Sequence, residues 1–163
     1  MALAVRNAIR EDAAEINALT NWYINHTAVN FDTQPWDLGK RQAWLAEFAA
    51  PYHCLVGTWE GVFAGYACNT RFRPKAAYSS STETTVYVSR KFQGQGIGRK
   101  MYDALLQQIG QEDFHRVYAV ITLPNPGSLK LHHDLGFSLV GTFDEIGRKF
   151  GEYHSVAMLE KKL

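Results

Sequence analysis

The sequence predicts an α/β fold in which a mixed, mostly antiparallel sheet of about seven strands is flanked by about four helices. Strand-like runs and helically spaced apolar residues follow one another in the order β-α-α-β-β-β-α-β-α-β-β. A glycine-rich turn joins one of these strands directly to a helix. The chain has 163 residues and contains no repeat or low-complexity segment, so we expect one domain over residues 1–163.

The first half of the chain predicts one strand, two helices and a hairpin. Apolar residues recur at helical spacing after Glu11 and again after Asp37, a residue suited to cap a helix N-terminus. Pro51 ends the second pattern, and Glu60-Gly61 favours a hairpin between two strand-like runs. The predicted elements are a strand over 3–9, helices over 11–26 and 37–51, and strands over 52–59 and 62–70.

The second half predicts four more strands and two helices. One run is continuously apolar, which is typical of a strand buried on both faces. Pro124-Asn125-Pro126-Gly127 ends that run, and Gly136 stands where the following helix is expected to stop. The predicted elements are strands over 83–89 and 117–123, helices over 99–113 and 128–135, and a final antiparallel pair over 137–147 and 152–160.

The turn Gln93-Gly94-Gln95-Gly96-Ile97-Gly98 predicts an anion site. Glycines allow backbone N–H groups to approach a ligand, and the start of the following helix adds partial positive charge. Spacing excludes a P-loop, because no glycine stands five residues before a Gly-Lys pair. It also excludes a dinucleotide fingerprint, because Arg99 stands where the third glycine is required. The remaining pattern is Gln93-x-x-Gly96-x-Gly98.

Composition and charge narrow the function classes. The net charge of +1 and the pI near 7.8 offer no electrostatic case for binding nucleic acid or a membrane surface. The N-terminus lacks the basic-then-apolar pattern of a signal peptide, and no apolar run approaches the length of a membrane span.

The two cysteines, Cys54 and Cys68, share no metal-ligand spacing. We therefore expect two reduced thiols, no metal site and a cytoplasmic protein.

A second block follows about thirty residues later, Asn125-x-x-Ser128-x-x-x-His132-x-x-x-Gly136-Phe137. The two blocks resemble those of the GNAT acyltransferases, in which a Q-x-x-G-x-G/A loop holds the pyrophosphate of acetyl-CoA and the second block packs beside its pantetheine arm. Residues 9–163 are similar to the branch of phosphinothricin and methionine sulfoximine/sulfone acetyltransferases. The resemblance implies a GNAT fold, acetyl-CoA as co-substrate, and a homodimer with the active site near its interface.

The resemblance also implies roles for individual residues. Glu83 and His132 occupy the positions implicated in catalysis in this branch, and His132 stands where many GNAT enzymes have a tyrosine acid. His133 is rotated about 100° away around the helix. The residues implied to bind the cofactor are Val86, Tyr87, Val88, Gln93, Gly94, Gln95, Gly96, Ile97, Gly98, Arg99, Asn125 and Ser128. The residues implied to bind the substrate are Phe31, Arg73, Lys75, Tyr78 and Tyr87.

These residue types suit acetyl transfer to an amine. A carboxylate can take the amine proton, directly or through water, and a histidine can do so near neutral pH. The sequence leaves the roles of base and acid interchangeable between Glu83 and His132. A backbone N–H at Val86 or Tyr87 can stabilise the oxyanion that forms on the thioester.

The substrate residues have simpler interpretations that the sequence leaves open. Arg73 and Lys75 can hold an anionic head group, but they can equally form a solvated loop. Phe31 can be ordinary core, and Asn125 can serve the turn rather than the cofactor. The arginine at position 73 favours the sulfoximine/sulfone enzymes, whereas residues 27–31 favour the phosphinothricin enzymes.

We therefore predict an acetyl-CoA-dependent N-acetyltransferase in which the α-amine of a small amino acid or analogue, of phosphinothricin or methionine sulfoximine/sulfone type, attacks directly in a ternary complex. One alternative is acetylation of a polyamine, an aminoglycoside or a protein N-terminus. The basic loop at 71–75 argues against a polyamine, and the histidine at 132 argues against a protein N-terminus. Another alternative is an acyl-CoA-binding regulatory module without catalysis, against which the retained Glu83 and His132 argue.

Overall fold

A computed structural model describes residues 3–163 of the protein, which form one mixed sheet. Its strands are β1 (Leu3–Asn7), β2 (Cys54–Trp59), β3 (Val62–Arg71), β4 (Ser81–Val88), β5 (Arg116–Thr122), β6 (Ser138–Lys149) and β7 (Glu152–Lys162). Their spatial order is β1-β2-β3-β4-β5-β7-β6. Within the described residues the β4–β5 pair is parallel and the other neighbours are antiparallel. The predicted fold class is confirmed.

The helices of the described residues are α1 (Ala13–His26), α2 (Leu38–Ala46), α3 (Ile97–Ile109) and α4 (Pro126–Asp134). Some helix ends differ from the predicted ones, because local backbone geometry determines where these helices start and stop. The helix α3 starts after Gly96, which is left-handed, and α4 starts two residues early because Asn125 caps it. The helix α2 stops well before Pro51, because Glu47 and Phe48 donate to carbonyls three residues back and tighten the last turn.

The sheet separates two apolar cores. Side chains alternate along β2, so Leu55 packs on one face whereas Cys54 and Val56 pack on the other. On the first face α3 contributes Tyr102 and its buried neighbours, and on the second α1 contributes Ile16. Because helices cover both faces, β2 and β3 are buried over several consecutive residues rather than at alternate ones. No helix in residues 3–163 is long and apolar enough to cross a membrane.

The parallel pair β4–β5 is short, and its end shapes the middle of the sheet. The two strands pair only from Ser81–Arg116 to Glu83–Tyr118. Beyond that point β4 continues to pair with β3, and β5 continues to pair with β7. The strands therefore part from each other while each stays held by its outer neighbour, and a wedge-shaped gap opens between them.

Candidate active site

The gap between β4 and β5 opens into a cavity of about 1180 Å³. Both strands, the glycine turn, the starts of α3 and α4, and the segment that follows α1 line it. The predicted site residues among its walls are Phe31, Glu83, Val86, Tyr87, Val88, Gln93, Gly94, Gly96, Ile97, Gly98, Arg99, Asn125, Ser128 and His132. The structure thus brings both sequence motifs and both candidate catalytic side chains to one cavity.

The backbone of β4 presents polar groups to the gap. Directly after β4, Ser89 donates its backbone N–H to the carbonyl of Ala64 in β3, at 2.8 Å. Backbone groups alternate in direction along a strand, so the peptide groups of Val86 and Val88 face the gap, whereas those of Tyr87 face β3. An extended ligand with amide groups can therefore add to β4 as a strand would. Of the two predicted oxyanion donors, Val86 is the one whose N–H points into the cavity.

The glycine turn places the N-terminus of α3 at the cavity wall. Gly94 and Gly96 have φ of +73° and +75°, a conformation that favours glycine. Gly96 is the N-cap, and the amides of the first turn of α3 have no carbonyl of their own helix to bind. Gly98 lets the helix approach β4, because a Cβ there would lie 3.2 Å from Cγ2 of Val88. This arrangement suits an anion such as a pyrophosphate.

His132 lies on α4 and is only 4% exposed. Its Nδ1 lies 2.7 Å from the backbone carbonyl oxygen of Ser128, which can only accept, so Nδ1 carries the proton and donates it. This hydrogen bond leaves Nε2 as the basic nitrogen of the ring. The rings of Tyr102 and Phe137 pack against the imidazole at right angles, with centroids 5.1 Å away in each case. Burial lowers the pKa of His132, partly opposed by the Ser128 hydrogen bond, so the ring is neutral near pH 7.

Glu83 stands at the point where β4 and β5 part, opposite Tyr118. Burial raises the pKa of its carboxyl, and the positive charge of Arg73 lowers it by less. The side chain makes no hydrogen bond to another described residue that would fix its orientation. A half-buried carboxyl with a raised pKa in a cavity is a candidate for proton transfer.

Asn125 and Ser128 form the N-terminal cap of α4. The Asn125 side-chain oxygen accepts the backbone N–H of Ser128 at 3.1 Å, and Pro126 occupies the first helical position. Both residues line the cavity, so the cap and the cavity wall are the same structure. The cap also sets the register that brings His132 to the cavity one turn later.

The other end of the cavity is built by contacts between distant parts of the chain. The ring of Phe31 lies directly against Gly147, where a Cβ would overlap it. Lys149, only 5% exposed, donates from Nζ to the backbone carbonyl of Asn30 at 2.6 Å. The Asn30 side chain donates in turn to the hydroxyl of Tyr87 at 3.0 Å. The β6–β7 hairpin thus fixes the segment after α1 against β4.

Four predicted site residues lie outside the cavity lining. The side-chain amide of Gln95 donates to the backbone carbonyl of Lys91, four residues earlier in the chain. Tyr78 packs its ring against Phe72, 5.8 Å between centroids, and is 44% exposed. Lys75 and Arg73 are exposed in the same loop, although the charge of Arg73 still reaches Glu83. Of these four residues, only Arg73 has an effect on a candidate catalytic group.

Sequence reasoning missed several residues that the structure places at the cavity. Tyr23 lines it, although helical spacing had indicated only an apolar face of α1. Asn30 and Asp32 line it beside Phe31, and Lys149 supports them from the hairpin. The signal for Asn30 was its place within the segment 27–31, but nothing local in the sequence pairs it with Lys149. No cluster of three or more candidate metal ligands occurs in the described part of the chain.

Comparison with known proteins identifies the family. The model of the acetyltransferase (GNAT) family matches residues 16–137. A phosphinothricin N-acetyltransferase of Streptomyces coelicolor is 41% identical, over 98% of this chain and 95% of that protein. The chain belongs to the GNAT acetyltransferase family. An L-methionine sulfoximine/L-methionine sulfone acetyltransferase of Salmonella typhimurium is 31% identical, over 99% of this chain and 95% of that protein.

Solved structures of GNAT proteins superpose closely on the chain. The yncA protein of Salmonella typhimurium, solved with its cofactor acetyl-CoA, has a TM-score of 0.95 and 31% identity, over 100% of this chain and 95% of that one. A ribosomal-protein-alanine N-acetyltransferase of Brucella melitensis has the same TM-score and 30% identity, over 98% and 99%. The predicted family is confirmed, and the gap between β4 and β5 lies in the fold that these proteins share.

Proposed function

We propose that this GNAT protein is an acetyl-CoA-dependent N-acetyltransferase for the α-amine of a small amino acid or analogue. The observation that carries the proposal is the single cavity that joins two kinds of site. At one end lie the unpaired amides of the glycine turn and of Val86, which suit the pyrophosphate and the thioester of acetyl-CoA. The same cavity is also lined by Glu83 and His132, which suit proton transfer, and by the Phe31 end, which suits a small amine.

The reaction follows from these groups. The amine nitrogen attacks the thioester carbonyl carbon, and the oxyanion accepts a hydrogen bond from the Val86 N–H. The carbon–sulfur bond then breaks, the amine loses its proton, and the departing thiolate gains one. His132 is neutral with Nε2 free, so it enters the reaction as a proton acceptor and can return the proton to the thiolate. Glu83, when it is ionised, takes the proton that the ammonium form of the substrate loses before it attacks, directly or through water, so the second proton passes through His132 to the thiolate and one proton is released overall.

The relatives support a substrate class. Phosphinothricin N-acetyltransferase and L-methionine sulfoximine/L-methionine sulfone acetyltransferase are both named for amino acid analogues. Acetylation removes the positive charge of such an amine, so we propose a role in resistance to inhibitors of this type. Two buried free cysteines, Cys54 and Cys68, support a reducing, cytoplasmic setting.

The test is the release of free thiol from acetyl-CoA with a panel of amines. The panel contains phosphinothricin, methionine sulfoximine, methionine sulfone, ordinary amino acids, spermidine and a short peptide. We expect strong release with at least one of the first three, and the preferred one decides between the two branches. If no amine of the panel releases thiol although the protein still binds acetyl-CoA, the result would favour the alternative of an acyl-CoA-binding module without catalysis. The peptide belongs in the panel because a ribosomal-protein-alanine enzyme is among the structural neighbours.

We also propose that the chain acts as a homodimer through its β6–β7 face. The strand β6 lies at one edge of the sheet, and the two strands with their turn expose large apolar side chains at Leu139, Val140, Phe143, Ile146, Phe150 and Tyr153. Such a patch is typical of a protein interface. The same hairpin holds the segment after α1, which would place the substrate end of the cavity beside the second copy.

Light scattering tests the dimer. We expect a mass of two chains, reduced towards one chain in Val140→Glu because a charge on the apolar face is costly to bury. Val62→Glu is the matched control, since Val62 is also an exposed valine, 46% against 53%, but lies on β3. A mass of one chain for the unmutated protein at working concentration would contradict the dimer and leave the proposed reaction untouched.

A further inference from the structure

The hydroxyl of Tyr23 joins three elements that are far apart in the sequence. It donates to the backbone carbonyl of Val88, at the end of β4, at 2.8 Å. It accepts from the side-chain amide of Gln93, the first residue of the glycine turn, at 2.7 Å. The directions are unambiguous because the carbonyl can only accept and the amide nitrogen can only donate. The Tyr23 hydroxyl therefore links helix α1 both to β4 and to the glycine turn.

This link is the main polar attachment of the glycine turn. The other hydrogen bonds of residues 90–96 within the described chain are local, such as Phe92 to Ser89 and Gln95 to Lys91. They define the shape of the turn but not its position relative to the rest of the cavity. Only the Gln93 side chain donates from the turn to another element of the described structure, and its partner is Tyr23.

The position of the Tyr23 ring is itself well defined. Its ring packs on Tyr87, with centroids 4.9 Å apart, and edge-on against Trp22 at 5.2 Å. The guanidinium of Arg90, three residues before the turn, lies 4.8 Å from the Trp22 ring. Burial raises the pKa of Tyr23, so its hydroxyl remains protonated at neutral pH and keeps donating to Val88.

We propose that Tyr23 is a positioning residue for the CoA moiety, holding Gln93 and with it the glycine turn at the end of β4. The inference rests on the proposed function, since it concerns the acetyl-CoA end of the same cavity. Tyr23 lines the cavity, and its hydroxyl contacts Val88 and Gln93, which lie further along the chain towards the turn than the proposed thioester donor Val86. It therefore affects the affinity for CoA and the KM for acetyl-CoA, while kcat and the KM for the amine stay unchanged.

The experiment is calorimetric titration of the full-length protein with CoA. Tyr23→Phe keeps the ring and removes both hydrogen bonds, and we expect about five-fold weaker binding, the size expected for a neutral hydrogen bond. Gln93→Met removes the same bond from the other side and should weaken CoA by a similar factor. The double variant should lose less than the product of the two factors, because both changes break one interaction. Tyr52→Phe is the control, because Tyr52 packs on Phe114 in another part of the core.

The outcomes separate this inference from the proposed function. Unchanged CoA affinity in Tyr23→Phe would overturn the inference alone, and so would fully multiplicative losses in the double variant. A fall in kcat with an unchanged KM for acetyl-CoA would also overturn it. Failure of the unmutated protein to bind CoA would overturn both. If Tyr23→Phe does not fold, Gln93→Met still decides whether the link affects CoA, because its side chain is on the protein surface.

Discussion

The two ends of the cavity are built in different ways. The cofactor end consists of contiguous residues, since β4, the glycine turn and the start of α3 follow one another from position 81 to position 99. The substrate end is assembled from distant residues, such as Lys149 of β6 bonding to Asn30 after α1, 119 positions apart. The first end uses mainly backbone groups, and the second uses mainly side chains.

This difference explains which end can vary. Backbone amides at a helix N-terminus can bind an anion whatever the neighbouring side chains are, so the cofactor end depends mainly on glycine at a few positions and on the link from Tyr23 to Gln93. At the substrate end each wall residue depends on a partner elsewhere, and one substitution can reshape the pocket. We therefore expect changes at the substrate end to alter the choice of amine, and changes at the cofactor end to alter affinity for acetyl-CoA.

The largest expected effect is at Glu83 and His132, where the two ends meet. Glu83→Gln and His132→Ala should each lower kcat by about 10²- to 10⁴-fold, the usual contribution of a general acid or base. The CoA affinity measured by calorimetry should stay within about two-fold, because the glycine turn is untouched. Near-normal turnover in both folded variants would contradict the proposed mechanism, and circular dichroism is the check on folding.

The pH profile distinguishes the two groups. Burial raises the pKa of Glu83, so an ionised carboxylate is lost at a higher pH than for an exposed glutamate. Burial lowers the pKa of His132, so this ring stays neutral down to a lower pH than free imidazole. We expect kcat/KM to fall as the pH falls, and the limb due to Glu83 to vanish in Glu83→Gln. The same amine must be used throughout, because its own ionisation also lowers kcat/KM at low pH. If the pH dependence of kcat/KM is the same in Glu83→Gln as in the unmutated protein, the fall at low pH is due to the amine and not to Glu83.

A smaller effect is expected from Gly147, which touches only the substrate end. Gly147→Ala would push its methyl group into the ring of Phe31 and displace it from the cavity wall. We expect the KM for the amine to rise about tenfold, since small displacements of a positioning side chain are costly. The affinity for CoA should not change. The matched control is Gly141→Ala in the same strand, where a Cβ meets no atom within 4 Å. Equal effects of the two changes on the amine KM would contradict this account.

The same difference decided what the sequence could predict. The order of elements, the sheet class and the glycine turn follow from local periodicity and spacing, and all are as expected. His132 could be predicted as a site residue because its register within one helix is local too, and it lines the cavity. Tyr23 and Lys149 were missed because their roles depend on partners 70 and 119 positions away, which no local pattern encodes.

The loop at 71–81 shows what residue type leaves open, and the substrate roles of Arg73, Lys75 and Tyr78 stay predictions. Its basic residues suggested a pocket wall, but residue type alone does not give direction. In the structure the Phe72 ring stacks on Tyr118, 4.4 Å between centroids, and Tyr78 packs on Phe72. The loop therefore packs on the ring of Phe72, and Lys75 is exposed to solvent. Of the predicted basic groups, only Arg73 acts on the cavity, through its charge.

The smallest expected effect concerns Asn125, for which the sequence left two roles open. Its side-chain oxygen is occupied by the Ser128 amide, so Asn125→Ala should cost about 1 kcal/mol of the free energy of unfolding, measured by urea denaturation. Asn125→Asp keeps the capping oxygen and should retain most of that stability. We expect CoA affinity to change less than about two-fold in the alanine variant, because the cofactor end relies on backbone amides. A large loss of affinity in that variant, after correction for folding, would show that the Asn125 amide itself binds the cofactor and that side chains matter at this end as well.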